Sequence, residues 1–86
     1  MKINISRIVE VLKERNLFIS SSISDDQLTL NDVSIDSREI QHNDVFIAID
    51  GIEQNGHKYI PKAIELGAGL IIHTEDVSIK KNSILV

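Results

Sequence analysis

Ser37 lies between Asp36 and Arg38, and a hydroxyl in that setting can serve as a nucleophile, as a donor to a ligand oxygen, or as a turn cap. Covalent chemistry needs a base to take the hydroxyl proton. No histidine is placed by sequence to do so, and an unassisted hydroxyl is a weak nucleophile. Asp36 and Arg38 read as a surface ion pair of the ordinary exposed kind. His42, His57 and His73 are far apart and share no metal-ligand spacing, so each is expected to be surface or loop polar material. Among the four glycines none is followed by lysine, which removes the phosphate-wrapping Gly-x-x-x-x-Gly-Lys-Ser/Thr loop. Gly67-Ala68-Gly69 sits between a predicted helix and a predicted strand, the reverse of the dinucleotide-binding order, and reads as a helix stop. With zero cysteines there is no thiolate nucleophile, thiolate metal site or disulfide. No catalytic residue and no metal ligand is assigned.

The polar groups that remain are carried by two predicted strands and the loops after them. From Val33 to Asp36 the apolar Val33 and Ile35 alternate with Ser34 and Asp36, the pattern of a half-buried strand. Val45 to Ile49 is apolar throughout, as in a strand covered on both faces, and it runs into a turn at Gly51. Between them, Asn43-Asp44 is the expected reversal, because Asn tolerates a left-handed backbone. Loops at strand ends are where a small domain offers donors and acceptors to a ligand.

The remaining elements follow from periodicity. Ile5, Ile8, Val9 and Leu12 recur at helical spacing behind a cap at Asn4 or Ser6. Both signs of charge on the polar face favour packing against the domain's own sheet over a membrane-surface or partner-binding role. Ile19 to Asp26 reads as a polar loop, and Leu28 to Leu30 as a short edge strand. Tyr59, Ile60, Ala63 and Ile64 share a face of a second helix of about three turns, with Pro61 in its first turn and Gly67 at its left-handed stop. Gly69 to His73 is a further core strand, so Val45 to His73 is a strand–helix–strand unit with a parallel pair. The expected fold is α/β: a small mixed sheet with two helices.

At 86 residues one domain, spanning residues 1–86, is expected. The sequence stops inside the apolar stretch Ile84-Leu85-Val86, from which the natural protein is expected to continue. A net charge of −4 with scattered basic residues excludes the electrostatic footprint of a nucleic-acid binder, and 3% aromatic residues leaves little for base stacking. Charged residues throughout Met1 to Leu17 leave no signal-peptide core and no membrane span. A cytoplasmic location is the expectation.

Taken together, Val33-Ser-Ile-Asp-Ser-Arg38, Asp44-Val-Phe-Ile-Ala-Ile-Asp-Gly51, Asn55-Gly-His-Lys-Tyr-Ile60, Ala63 and Gly67-Ala68 resemble the N-terminal domain of the Mur ligases, and nearly the whole chain takes part. Within that family the sequence is most similar to the UDP-N-acetylmuramoyl-dipeptide ligases, which add the third residue of the peptidoglycan stem peptide. The D-alanyl-D-alanine-adding Mur ligase is the sibling alternative, and a freestanding α/β interaction domain without nucleotide binding is the alternative from another class. The resemblance implies that this domain holds the uridine diphosphate end of a UDP-N-acetylmuramoyl-peptide, with Ser37 bonding the UDP moiety and Ile35 lining the uracil. Ile52, Glu53 and Gln54 would match the second uridine-contacting segment. It implies central and C-terminal ligase domains in the parent chain, with ATP and Mg belonging there and no cofactor in residues 1–86, which alone are not a catalyst. Two positions depart from the family pattern: Asn43 where Gly is usual and Asn55 where Asp is usual. Asn43 keeps access to the left-handed turn, whereas Asn55 leaves open any ionic role there.

Overall fold

The computed structural model describes residues 2–24, 27–49, 55–76, 78–79 and 81–86. A two-residue strand, β1 (Ile3–Asn4), leads into α1 (Ile5–Glu14), and Asn4 caps that helix by accepting the backbone N–H of Ser6 at 2.8 Å. Then come β2 (Ser20–Ser22), β3 (Thr29–Leu30), β4 (Val33–Ser34), β5 (Val45–Ile47), α2 (Ile60–Glu65), β6 (Leu70–His73) and β7 (Ser83–Leu85). Five strands form one sheet in the order β2-β7-β6-β5-β4, and β1 and β3 form a separate antiparallel pair. The sheet is mixed: β4, β5, β6 and β7 are mutually parallel neighbours, and β2 closes the far edge antiparallel to β7.

Strand β5 shows why a continuous apolar run was needed at the centre. Val45 and Ile47 pack with Leu70, Ile84 and the α1 residues Ile5, Ile8, Val9 and Leu12. Phe46 and Ala48 point the other way, onto Ile60 and Ala63 of α2 and Ile71 of β6. The sheet is therefore covered by one helix on each face, which parallel strands require. The connection from β5 through α2 to β6 is the expected crossover, with Val45 opposite Leu70 and Ile47 opposite Ile72. Asn43 takes φ 63° in the turn before β5, and Gly67 takes φ 101° after α2, where an added Cβ would lie 3.1 Å from the His42 Cα. Both match the left-handed positions read from sequence.

Four expectations are corrected. Residues 20–22, read as loop, pair with β7 as an exposed edge strand; ladder hydrogen bonds come from the backbone, so a serine run pairs where tertiary structure supplies a partner. Regular strand ends earlier than expected, at Ser34 in β4 and Ile47 in β5. Val33 and Ile35 are 47% and 66% exposed rather than turned into a core, because β4 is the sheet edge and α1 packs over β5, β6 and β7 without reaching it. Helix α2 is shorter than three turns: a 3-10 turn over Gly56–Tyr59, capped by Asn55, precedes its six residues.

Candidate functional site

An open pocket of about 640 Å³ lies past the carboxyl ends of β4 and β5, the end at which parallel α/β sheets receive ligands. One wall is the run Ile35, Asp36, Ser37 and Arg38; a second is Ile49 and Gly56; Tyr59 and Lys62 line it from the start of α2. The exposed Ile35 and Ile49 give it apolar surface, and among the described lining residues Arg38 and Lys62 are cationic and Asp36 carries a carboxylate.

The first wall is shaped by Asp36, not by Ser37 acting as its own cap. Asp36 Oδ1 accepts the backbone N–H of Arg38 at 2.9 Å and so starts a 3-10 turn over Ser37–Glu39. The Arg38 guanidinium closes on the same carboxylate through Nε (3.0 Å) and Nη2 (2.8 Å), a forked contact. Those side-chain bonds, followed by the backbone one, hold the Asp36 carboxyl below the usual aspartate value, and the carboxylate in turn raises Arg38. Upstream, Ser34 Oγ accepts the Asp36 N–H at 3.0 Å and fixes the entry to the turn. Ser37 is left buried and on the pocket wall.

The base of this wall is held by Asp44, which is buried. Its Oδ1 accepts the Asp32 N–H at 3.0 Å and its Oδ2 the Gln41 N–H at 2.9 Å, so one carboxylate joins the start of β4 to the chain returning into β5. The second wall is held differently. Gly56 N–H donates to Ile49 C=O at 2.6 Å, and a Cβ on Gly56 would meet the Ile49 backbone N and O at 2.9 Å, so the approach is open to glycine alone.

The expectation for the histidines is corrected in two of three cases. His42 is exposed, but His57 and His73 are buried and hydrogen-bonded. His73 Nδ1 lies 2.8 Å from the Glu75 carbonyl, and His57 bonds to Asn55, Thr74 and Glu75. Among the described residues no three His, Cys, Asp or Glu side chains are grouped to hold a metal ion, and no helix is long and apolar enough to cross a membrane.

A family model described as "Mur ligase family, catalytic domain" matches residues 29–86. The chain belongs to the Mur ligase family. It is 47% identical over 53 residues, 62% of its length, to UDP-N-acetylmuramoyl-L-alanyl-D-glutamate--2,6-diaminopimelate ligase of Clostridioides difficile (strain 630), of which it covers 11%. A crystal structure of MurF ligase from Thermotoga maritima in complex with ADP matches with TM-score 0.61 and 30% identity over 65% of this chain and 13% of that one. A MurF structure from Acinetobacter baumannii matches the whole chain with TM-score 0.78 at 15% identity, covering 18% of that protein, and so speaks for the fold alone. The chain thus spans between about a tenth and a fifth of the length of these relatives.

Against the Mur ligase expectations, Ile35 and Ser37 share one wall of the pocket. Ile52, Glu53 and Gln54 lie outside the described residues; Ile49 and Gly56, on either side of them in sequence, also line the pocket. Tyr59, read as part of a helix face, and Lys62, given no reading, were missed as pocket residues. Asp44 was missed as the wall's staple. An Asx residue at the exit of a turn, directly before an all-apolar strand, is the sequence signal that would have found it.

Proposed function

We propose that residues 1–86 form the module that holds the uridine diphosphate end of a UDP-N-acetylmuramoyl-dipeptide in a ligase that adds the third residue of the stem peptide. The observation that carries this reading is the convergence of the Ser37 wall and the Ile49–Gly56 wall on one pocket at the strand ends. Ile35 and Ile49 supply apolar contact for a planar base, the Ser37 hydroxyl can donate to a base or phosphate oxygen, and Ile49 and Gly56, on either side of Glu53 and Gln54 in sequence, line that pocket. Arg38 and Lys62 favour an anionic ligand, and their contribution falls with salt.

The diaminopimelate-ligase relative, at 47% identity, favours the third-residue reading over the D-alanyl-D-alanine-adding one, for which the similarity to MurF ligase is 30% over a comparable share of the chain. ATP, Mg and the ligation step belong to the rest of the parent protein, since this sequence has no Gly-Lys phosphate loop. The carboxylate to be activated sits on the peptide end of the nucleotide, so the module contributes binding and orientation rather than chemistry.

Calorimetric and amide-shift titrations of the 86-residue chain with UDP, UDP-N-acetylmuramoyl dipeptide and ADP test the reading. Heat and shifts at Ile35, Ser37 and Gly56 are expected with both uridine nucleotides and not with ADP. Silence with all three, or equal response to ADP, overturns it.

A further inference from the structure

Neither the resemblance nor the pocket gives His57 a task, although its side chain is only 5% exposed. Its hydrogen-bond partners determine its state. Nε2 lies 3.0 Å from the Thr74 backbone nitrogen and 3.3 Å from that of Glu75. Both are N–H donors, so Nε2 is the acceptor and the ring proton is on Nδ1. Nδ1 lies 2.6 Å from Asn55 Oδ1 and 3.1 Å from Glu75 Oε2, each able to accept that proton. The Asn55 amide is oriented as well: its Oδ1 also takes the His57 backbone N–H at 2.9 Å, which leaves Nδ2 to donate to Glu75 Oε2 at 2.5 Å. Thr74 Oγ1, 3.2 Å from Nε2, completes the set as a third donor. Neutral imidazole with Nδ1–H is the one state that offers a lone pair at Nε2 to these donors and a proton at Nδ1 to the Asn55 and Glu75 oxygens.

The network ties Asn55–Gly56 to the chain leaving β6. Strand β6 is fixed in the sheet beside β5, from which Ala48 N–H reaches the Ile72 carbonyl at 2.8 Å. We propose that His57 is a positioning residue for nucleotide binding: its Nδ1–H tautomer clasps Asn55 and Gly56 to Thr74 and Glu75 and thereby sets the Gly56 wall of the pocket before a ligand arrives. The proposal rests on the nucleotide reading of that pocket. Without the clasp the wall loses its tie to the chain leaving β6, though the Ile49–Gly56 bond remains, and more of its ordering falls to the ligand, which weakens binding without removing any ligand contact.

Glutamine and asparagine separate this role from general packing. The His57→Gln side chain carries an acceptor out to the Nε2 position and can still take the Thr74 and Glu75 amides; the shorter amide of His57→Asn reaches only the Nδ1 position. With UDP as the probe and the whole 86-residue chain as the protein, affinity in His57→Asn is expected to fall about tenfold and in His57→Gln to stay within about threefold of wild type. Gly56 amide exchange should quicken in His57→Asn only. Nitrogen-resolved imidazole spectra of the unmutated chain should show a protonated Nδ1 and a bare Nε2, a readout independent of whether any variant folds. An Nε2–H tautomer, undiminished UDP affinity in His57→Asn, or no rescue by His57→Gln overturns the proposal. If wild type fails to bind UDP while tautomer and Gly56 exchange are as expected, the nucleotide reading falls and takes the binding role with it; UDP binding indifferent to His57→Asn removes His57 alone.

Discussion

The two walls of the pocket are built from opposite materials. On the Ser37 side the shaping contact is an exposed fork, Asp36 to Arg38, with the guanidinium side chain 85% exposed, and the buried support sits lower down at Asp44. On the Gly56 side the support is the buried His57 ring, with the close pass of the half-buried Gly56 over Ile49. An exposed ion pair exchanges protein contacts for water at little net gain, whereas a buried group loses its partners outright when one is removed. Mutations should therefore divide by what they remove: loss of a buried backbone support costs folding, loss of a hydroxyl on the pocket lining costs binding, and loss of the exposed fork costs little of either.

Asp44→Ala should have the largest effect. It strips the acceptors from two backbone N–H groups, of Asp32 and Gln41, in a site water does not reach freely. The expected loss is about 3 kcal/mol, a fall in melting temperature of roughly 10–20 °C for a domain of this size. Asp44→Asn should fall between, because its single carbonyl oxygen serves one N–H while its NH2 faces the other. A melting curve of Asp44→Ala that overlays the wild-type curve would show that the first wall does not depend on its base.

Gly56→Ala comes next and probes the other wall. The new Cβ would stand 2.9 Å from two backbone atoms of Ile49, and backbone cannot step aside as a side chain can. A destabilisation of about 1–3 kcal/mol is expected, together with loss of the Ile49–Gly56 hydrogen bond, visible as faster exchange of the residue 56 amide. Equal stability with an intact, slowly exchanging amide would break the contrast between the walls.

What the sequence disclosed follows the same division. Periodicity placed the helices, the central strands and the left-handed turns at Asn43 and Gly67, because those are set by local backbone preference and by burial across β5. It misplaced the serines of β2, whose pairing depends on β7, far along the chain: Ser21 lies opposite Ile84. It turned Val33 and Ile35 inward, since alternation reports which residues share a side but not whether a helix covers that side. Of the pocket lining, Ile35 and Ser37 were named through the resemblance to the Mur ligases and not through periodicity. His57 was legible through neither, because its burial and tautomer arise from Thr74 and Glu75, which only the β5–β6 pairing brings near.

Ser37→Ala should barely move the melting temperature yet weaken UDP binding about fivefold, one hydrogen bond of about 1 kcal/mol. This is the mirror image of Asp44→Ala, whose buried carboxylate lies at the start of β4 and β5, outside the pocket lining. An unchanged titration curve would remove Ser37 from the site while leaving the wall intact.

The smallest effect is expected from the Asp36–Arg38 fork, and its sign can be worked out. Arg38 holds the folded Asp36 carboxyl below the ordinary value of about 3.8, which the unfolded chain retains. The contribution is therefore fully present above that value and is lost as pH falls through the lower, folded one. Asp36→Asn keeps an oxygen for the Arg38 N–H but loses the ionic fork. Its melting temperature should sit slightly below wild type from neutral pH down to about 4, and the two should converge in more acid solution. Added salt should narrow the neutral-pH gap, since the fork is open to solvent and its charges are screened. A gap that widened in acid, or one as large as that of Asp44→Ala, would mean that the exposed rim bears folding load after all, and the two walls would no longer differ in kind.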